Sequence, residues 1–165
     1  MQTTLRATAI IVMAFTLAAC AGELVQRIPA LPGGASDFRT ALYGEYVDRA
    51  HNEYGEADYA NADWFAIKAF RVTAGRLVRP DDLGSRTVPA DKLNEATNLG
   101  YRLNKALDAS ARAKLPKKAA RAQMMYDCWL EESEENIQPK DIAACRTELM
   151  ALLPQLEAAV RPAPT

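Results

Sequence analysis

The chain has 165 residues, 25% of them charged, with 20 Lys and Arg against 21 Asp and Glu and a formal net charge of −1. That balance leaves no electrostatic footprint for nucleic acid or for an anionic membrane surface, while the length suits one domain with a real core. A single histidine, His51, excludes histidine-based zinc sites.

Met1 to Arg6 carries one cationic side chain, and the thirteen residues Ala7 to Ala19 are uncharged and apolar apart from Thr8 and Thr16. A membrane-spanning helix needs about 20 apolar residues, so this stretch reads as the h-region of a signal peptide, residues 1–19, that is removed. Leu17-Ala18-Ala19-Cys20 closes it, followed by small Ala21 and Gly22. This is a lipobox, the pattern of a bacterial lipoprotein precursor. The thiol of Cys20 is the nucleophile that takes the diacylglyceryl group, and two or more acyl chains anchor stably where one does not. The alternative is an ordinary secretory signal with a chance cysteine. Enterobacterial lipoproteins with Asp after the cysteine stay at the inner membrane; Ala21 carries no such signal, so the expected place is the outer membrane, on its periplasmic face.

Removal of residues 1–19 leaves 146 residues, and loss of Arg6 takes the charge from −1 to −2. Residues 20–35 hold Pro29, Pro32, Gly33 and Gly34 without periodicity and read as a lipidated cysteine with a flexible tether, reaching about 50 Å at full extension. A single helical domain is expected over residues 36–160, followed by a proline-rich, disordered tail, 161–165.

Ser36 is the expected cap of a first helix with Phe38, Leu42, Tyr46, Ala50 and Tyr54 on one face, ended by Gly55. Asp58 caps a second helix with Ala62, Phe65, Ala66, Ala69 and Phe70 on one face, ending near Gly75. Ala50, Asp58-Tyr59, Ala62 and Ala69 stand at the spacings of a tetratricopeptide hairpin, with Tyr46 where that repeat has Trp and Ala57 replacing its turn glycine. The resemblance covers one repeat, and a solenoid needs about three. Pro80-Asp81-Asp82 and Gly84-Ser85 mark a loop, with both aspartates read as turn formers. Pro89 or Ala90 opens a third helix with Leu93, Ala96, Gly100, Leu103 and Leu107 buried. A fourth helix, roughly 117–135, follows Pro116, with Ala119, Ala122, Met125 and Trp129 on one face. Pro139 starts a fifth, striped by Ile142, Cys145, Leu149, Leu152, Leu156 and Ala159, with a kink or fraying expected at Pro154. No stretch alternates like a strand. The expected fold is all-α, about five helices in antiparallel hairpins.

With Cys20 assigned to lipid, Cys128 and Cys145 remain as a pair in an oxidising compartment. Their midpoint falls in the turn around Asn136 to Gln138, and residues equidistant from the turn of an antiparallel hairpin lie opposite each other. A disulfide there would staple the last pair of helices, stabilising by about 3 kcal/mol in the chain-entropy model. The competing reading is two buried thiols.

No catalytic or cofactor-binding residues are read from the sequence, and no metal ligands. His51 is expected at a surface. Glu131, Glu132, Glu134 and Glu135 oppose the macrodipole at a helix C-terminus; they read as a solvated face offset by Lys140 and Arg146, or as an acidic contact patch for a cationic partner. Trp64 lies off the main stripe, a candidate exposed contact. Lys117, Lys118 and Arg121 are too slight a basic cluster for nucleic acid.

The lipobox, Glu53-Tyr54, Asp58-Tyr59-Ala60-Asn61-Ala62-Asp63-Trp64-Phe65-Ala66, Tyr126-Asp127-Cys128-Trp129, and Glu134-Glu135-Asn136-Ile137-Gln138-Pro139 through Ala144-Cys145-Arg146 together resemble the N-terminal helical region of alphaproteobacterial OmpA-family lipoproteins. An OmpA-like peptidoglycan-binding domain follows in that family. No such domain is read in the residues up to Thr165, so wall binding is not carried over residue by residue. The expectation is a non-enzymatic, lipid-anchored helical interaction module in cell-envelope organisation with a protein partner. The alternative is a peptidoglycan-binding or wall-enzyme-regulating lipoprotein.

Overall fold

Asp37, in extended backbone, accepts a hydrogen bond from the Thr40 N–H at 2.8 Å and starts α1, Phe38–Gly55. The cap is therefore Asp37 rather than Ser36, because its carboxylate reaches the third amide of the first turn. The computed structural model describes residues 22–31 and 37–162; Ser36, the signal segment and the lipobox Cys20 lie outside them. Ala57 takes up the left-handed φ of 66° in the turn after α1. The Asp58 carboxylate then accepts from the Asn61 N–H at 2.9 Å and opens α2, Tyr59–Thr73, as its sequence position predicts.

Beyond Gly75 the chain runs extended through a 3-10 turn, Leu83–Ser85, to α3, Leu93–Ala106. The helix begins a few residues later than Pro89 or Ala90. It continues through a π-turn, Leu107–Ala111, bent at Ser110 with φ 87°, and one further turn, Arg112–Lys114. Pro116 opens α4, Pro116–Glu135, which Asn136 ends in left-handed backbone at φ 55°. After the short turn, Pro139 opens α5, Pro139–Val160. Pro154 lies exposed within that helix, which runs on to Val160 rather than fraying there.

Five helices and no strand make up the described residues, an all-α fold. α1 packs on α2, α4 on α1 and α5, and α3 lies across α4 and α5. Alanines at Ala50, Ala62, Ala66 and Ala69 bring the first pair close, and α5 buries Cys145, Leu149, Leu153 and Leu156. Gly100 lets α3 meet α4: a β-carbon there would stand 2.9 Å from the Tyr126 Cζ, whose hydroxyl donates to the Ala96 carbonyl at 3.1 Å. The Cys128–Cys145 disulfide closes the α4–α5 hairpin with a Cα–Cα separation of 5.9 Å.

Two further features depart from the sequence reading. α4 is not one-sided: from Ala119 to Ser133 every residue but Arg121 is buried, making it the central helix. Residues 22–31 are not a free tether either. The amides of Gly22 and Leu24 donate to the Asp63 carboxylate at 3.1 and 3.2 Å, Val25 is buried, and the Tyr43 hydroxyl donates to the Pro29 carbonyl at 2.9 Å. Gly22, at φ 79°, sits so close to the Tyr54 and Tyr59 rings that a β-carbon would meet both within 2.9 Å. Among the described residues no helix is long and apolar enough to cross a membrane.

Candidate functional site

α4 carries its acidic residues inward. Asp127, Glu131 and Glu135 follow at i, i+4 and share a face, and the first two are fully buried. Carboxylates reach such a place only with partners, and α1, α2 and the α2–α3 loop supply them.

The first network centres on Lys68 of α2. Its ammonium pairs with Asp81 and, at 2.6 Å, with Asp127 Oδ2. The Tyr46 hydroxyl donates to the same Oδ2 at 2.8 Å, the Asp81 N–H donates to Oδ1 at 2.7 Å, and Gln123 Nε2 donates to the Tyr46 oxygen at 2.8 Å. Asp81 Oδ2 accepts from the Trp64 indole N–H at 3.0 Å and has the Arg86 guanidinium 3.5 Å away. Burial pushes the Asp127 carboxyl up, and the neighbouring Lys68 pulls it back. Burial likewise pushes the Tyr46 hydroxyl well above its ordinary range. Asp81 is thus a buried ion-pair member rather than only a turn former.

Trp64 is half-buried, not an exposed platform: Arg86 covers its ring at 4.7 Å. Arg86 also donates to Asn61 Oδ1 at 2.6 Å and to Glu134 at 3.2 Å, while the Thr87 N–H donates to the other Glu134 oxygen at 2.7 Å. Burial raises the Glu134 carboxyl, but these donors outweigh it and hold the group below the usual range.

The second network centres on Arg49 of α1. Its guanidinium pairs with Glu53 at 2.7 Å, with Glu132 at 2.7 Å, and with Glu131. Burial pushes Glu131 up to about 8 and Glu53 up to about 7, with Arg49 opposing in both. Glu131 Oε1 and Glu132 Oε2 are buried without a hydrogen-bond partner. Glu135 lies in hydrogen-bonding contact with Asp58, which pushes it up to about 7, and accepts from Asn61 Nδ2 at 2.9 Å. One carboxylate oxygen from each of Glu53, Asp58, Glu131 and Glu135 stands within 4.8 Å of the other three. A solvent-open hollow of about 500 Å³, lined by Glu53, Asp58, Glu135 and Gln138 among others, adjoins them.

The acidic run of α4 is therefore neither a solvated face nor an open patch. Glu131 and Glu132 are interior, and Glu134 and Glu135 are half-buried and engaged. Their charge is offset by Arg49 and Arg86, not by Lys140 and Arg146; Arg146 pairs with Glu95 at 2.6 Å instead. Arg121 of the basic cluster bridges Glu45 and Glu148 at 2.9 and 2.7 Å. His51 is exposed, as expected, with Nδ1 2.8 Å from the Val47 carbonyl oxygen. Lys68, Arg86, Arg49, Glu53, Asp81 and Asp127 were not legible as a site. The two available signals were Lys68 within the apolar face of α2 and the Arg49–Glu53 pair at i, i+4.

No family model, curated protein or solved structure matches this chain.

Proposed function

We propose that this is a lipid-anchored helical interaction module of the bacterial cell envelope, non-enzymatic and acting through a protein partner. The lipobox Leu17-Ala18-Ala19-Cys20 carries this reading. The Cys128–Cys145 disulfide supports it, since such bonds persist in oxidising compartments. So does the resemblance to the helical region of OmpA-family lipoproteins, and the outer membrane is the membrane proposed.

Docking of Gly22 gives the anchor a direction. Two residues span at most about 7 Å, so lipid on Cys20 would hold the α1–α2 turn close to the membrane. The α4–α5 turn lies at that same end, joined to it by the Gln138 amide donating to Glu56 at 3.0 Å. Ile137 there is 73% exposed and Tyr59 38%, apolar surface for a partner to cover.

A photo-crosslinking residue placed at Ile137 of the full chain tests the reading in intact envelopes. A discrete adduct with an envelope protein is the expected result. Saturable cosedimentation with peptidoglycan sacculi without such an adduct would replace it by the wall-binding alternative, and failure of both would overturn both. Cys20→Ser should move the chain from the membrane to the soluble periplasmic fraction.

A further inference from the structure

We propose that Glu53, Asp58, Glu131 and Glu135 bind a divalent cation of calcium size where the end of α1, the cap of α2 and the end of α4 converge. The proposal concerns the isolated domain and is independent of which partner the module meets.

The geometry comes first. Calcium takes oxygen ligands at about 2.4 Å, so ligands on opposite sides of the ion stand about 4.8 Å apart, and magnesium, at about 2.1 Å, needs a tighter shell. The four carboxylate oxygens lie within 4.8 Å of one another, inside the diameter of a calcium shell. The donor set is oxygen only, which suits a hard cation and disfavours zinc or copper.

Glu131 supplies the second, independent observation. Its side chain is completely buried, Arg49 takes Oε2, and Oε1 has no hydrogen-bond donor at all. A buried carboxylate oxygen in that position calls for a positive partner, and among the described residues no side chain provides one. Asp58 and Glu135 present the same demand from the outer side. Their oxygens stand within the same 4.8 Å of each other and of the Glu131 oxygen, and carboxylates that close repel unless a positive charge lies among them. Arg49 alone faces Glu53, Glu131 and Glu132, one positive charge against three carboxylates.

Access and completion of the shell are provided by the hollow beside these groups, open to solvent and wide enough for the waters that fill a six- to eight-oxygen sphere. The ion would tie the first helical pair to the central helix at the end of the domain nearest the proposed anchor.

The test is calcium titration of the full chain, purified in detergent and stripped with EDTA. The expected result is one saturable site per chain by calorimetry and a melting temperature raised by CaCl₂ and restored by EDTA. MgCl₂ should bind at least tenfold more weakly. Terbium, a calcium surrogate, should show luminescence sensitised by Tyr59 at the rim of the hollow, and calcium should compete it away. Glu135→Gln should lower calcium affinity at least tenfold with helicity intact, whereas Glu134→Gln, held by Arg86 and Thr87, should leave it unchanged. Absence of saturable calcium heat and of competable terbium signal up to about 10 mM, beyond the weakest extracellular calcium modules, would overturn the proposal. Equal affinity in Glu135→Gln would do the same, and magnesium binding as tightly as calcium would overturn the assignment of ion size.

Discussion

The Lys68 and Arg49 networks hang on the same helix one turn apart, at Asp127 and Glu131, and are built from the same kinds of side chain. They differ in how their charge closes. Around Lys68, two cations, Lys68 and Arg86, meet two buried carboxylates, Asp81 and Asp127, and all four carboxylate oxygens have a donor or a cation beside them. Around Arg49, one guanidinium meets three carboxylates, and Glu131 and Glu132 each keep a buried oxygen without a donor. The closed network fixes one arrangement of three elements and leaves no carboxylate oxygen unmet, although Gln123 Oε1 and Arg86 Nη2 there are buried without a hydrogen-bond partner. An open one retains a demand for positive charge that protons or a cation must meet.

The sharpest way to break this comparison is to open the closed network. Lys68→Met leaves Asp81 and Asp127 facing each other with no ammonium between them. Removal of one partner from a buried pair costs about 3–5 kcal/mol, and urea denaturation should show a loss of that size at pH 7. Arg49→Met is the matching change on the other side, with a smaller and pH-dependent cost. Its carboxyls already sit high enough to accept protons, so the loss should be about 2 kcal/mol at pH 5 and approach that of Lys68→Met at pH 8. An equal cost for Arg49→Met at both values would mean that the second network is as closed as the first.

The unaltered domain should carry the same signature in EDTA-containing buffer. Glu131, facing Arg49, Glu53 and Glu132, and Glu53, facing Arg49, Glu56, Glu132 and Glu135, have folded-state values of about 8 and about 7 against 4.5 for an ordinary Glu; Glu135, at about 7, and Asp127 of the Lys68 network, raised by burial to about 6, act with the same sign. The folded state then binds protons that the unfolded chain releases, so this contribution is complete below pH 4.5 and lost as pH rises to about 8. Asp108, Asp58, Glu134, Glu148 and Glu157 are held low and act with the opposite sign, losing stability as pH falls through their own lowered values. Denaturant midpoints should therefore peak near about pH 5 and fall toward pH 8. A flat profile from pH 5 to 8 would contradict the open network.

How much of this was readable depends on where partners lie along the chain. The Asp58 cap, proline at the first turn of α5, and the pairing of Cys128 with Cys145 all rest on residues within a few turns of each other, and each is found as read; the α5 stripe holds at Cys145, Leu149 and Leu156, with Leu153 buried in place of Leu152. The interior placement of Asp127 and Glu131 rests on Lys68, 59 residues away, and Arg49, 82 residues away. A run such as Glu131, Glu132, Glu134 and Glu135 looks solvated by local pattern because nothing local neutralises it. The same reason hid the burial of α4 on all sides, since its polar residues imitate an exposed face. Docking of residues 22–31 was hidden too: its hydrogen bonds end on Asp63, and a segment rich in Pro and Gly carries no periodic trace of a surface it leans on.

The mildest change tests whether the two networks are separate at all. Trp64→Phe keeps an aromatic ring under Arg86 and removes one N–H from Asp81 Oδ2, which Arg86 still flanks; the cost should be about 1 kcal/mol. Combined with Lys68→Met it should be non-additive, because both act on Asp81. Combined with Arg49→Met it should add within about 0.5 kcal/mol, because the two side chains share no hydrogen-bond or ion-pair partner. Two side chains bridge the networks: the Phe65 ring, whose centroid lies 5.8 Å from both the Arg49 and the Arg86 guanidinium, and Asn61, which accepts from Arg86 and donates to Glu135. A coupling well above that limit in the Trp64–Arg49 double-mutant cycle would show that Phe65 or Asn61 transmits between them, and the two networks would then be one site with a closed and an open side.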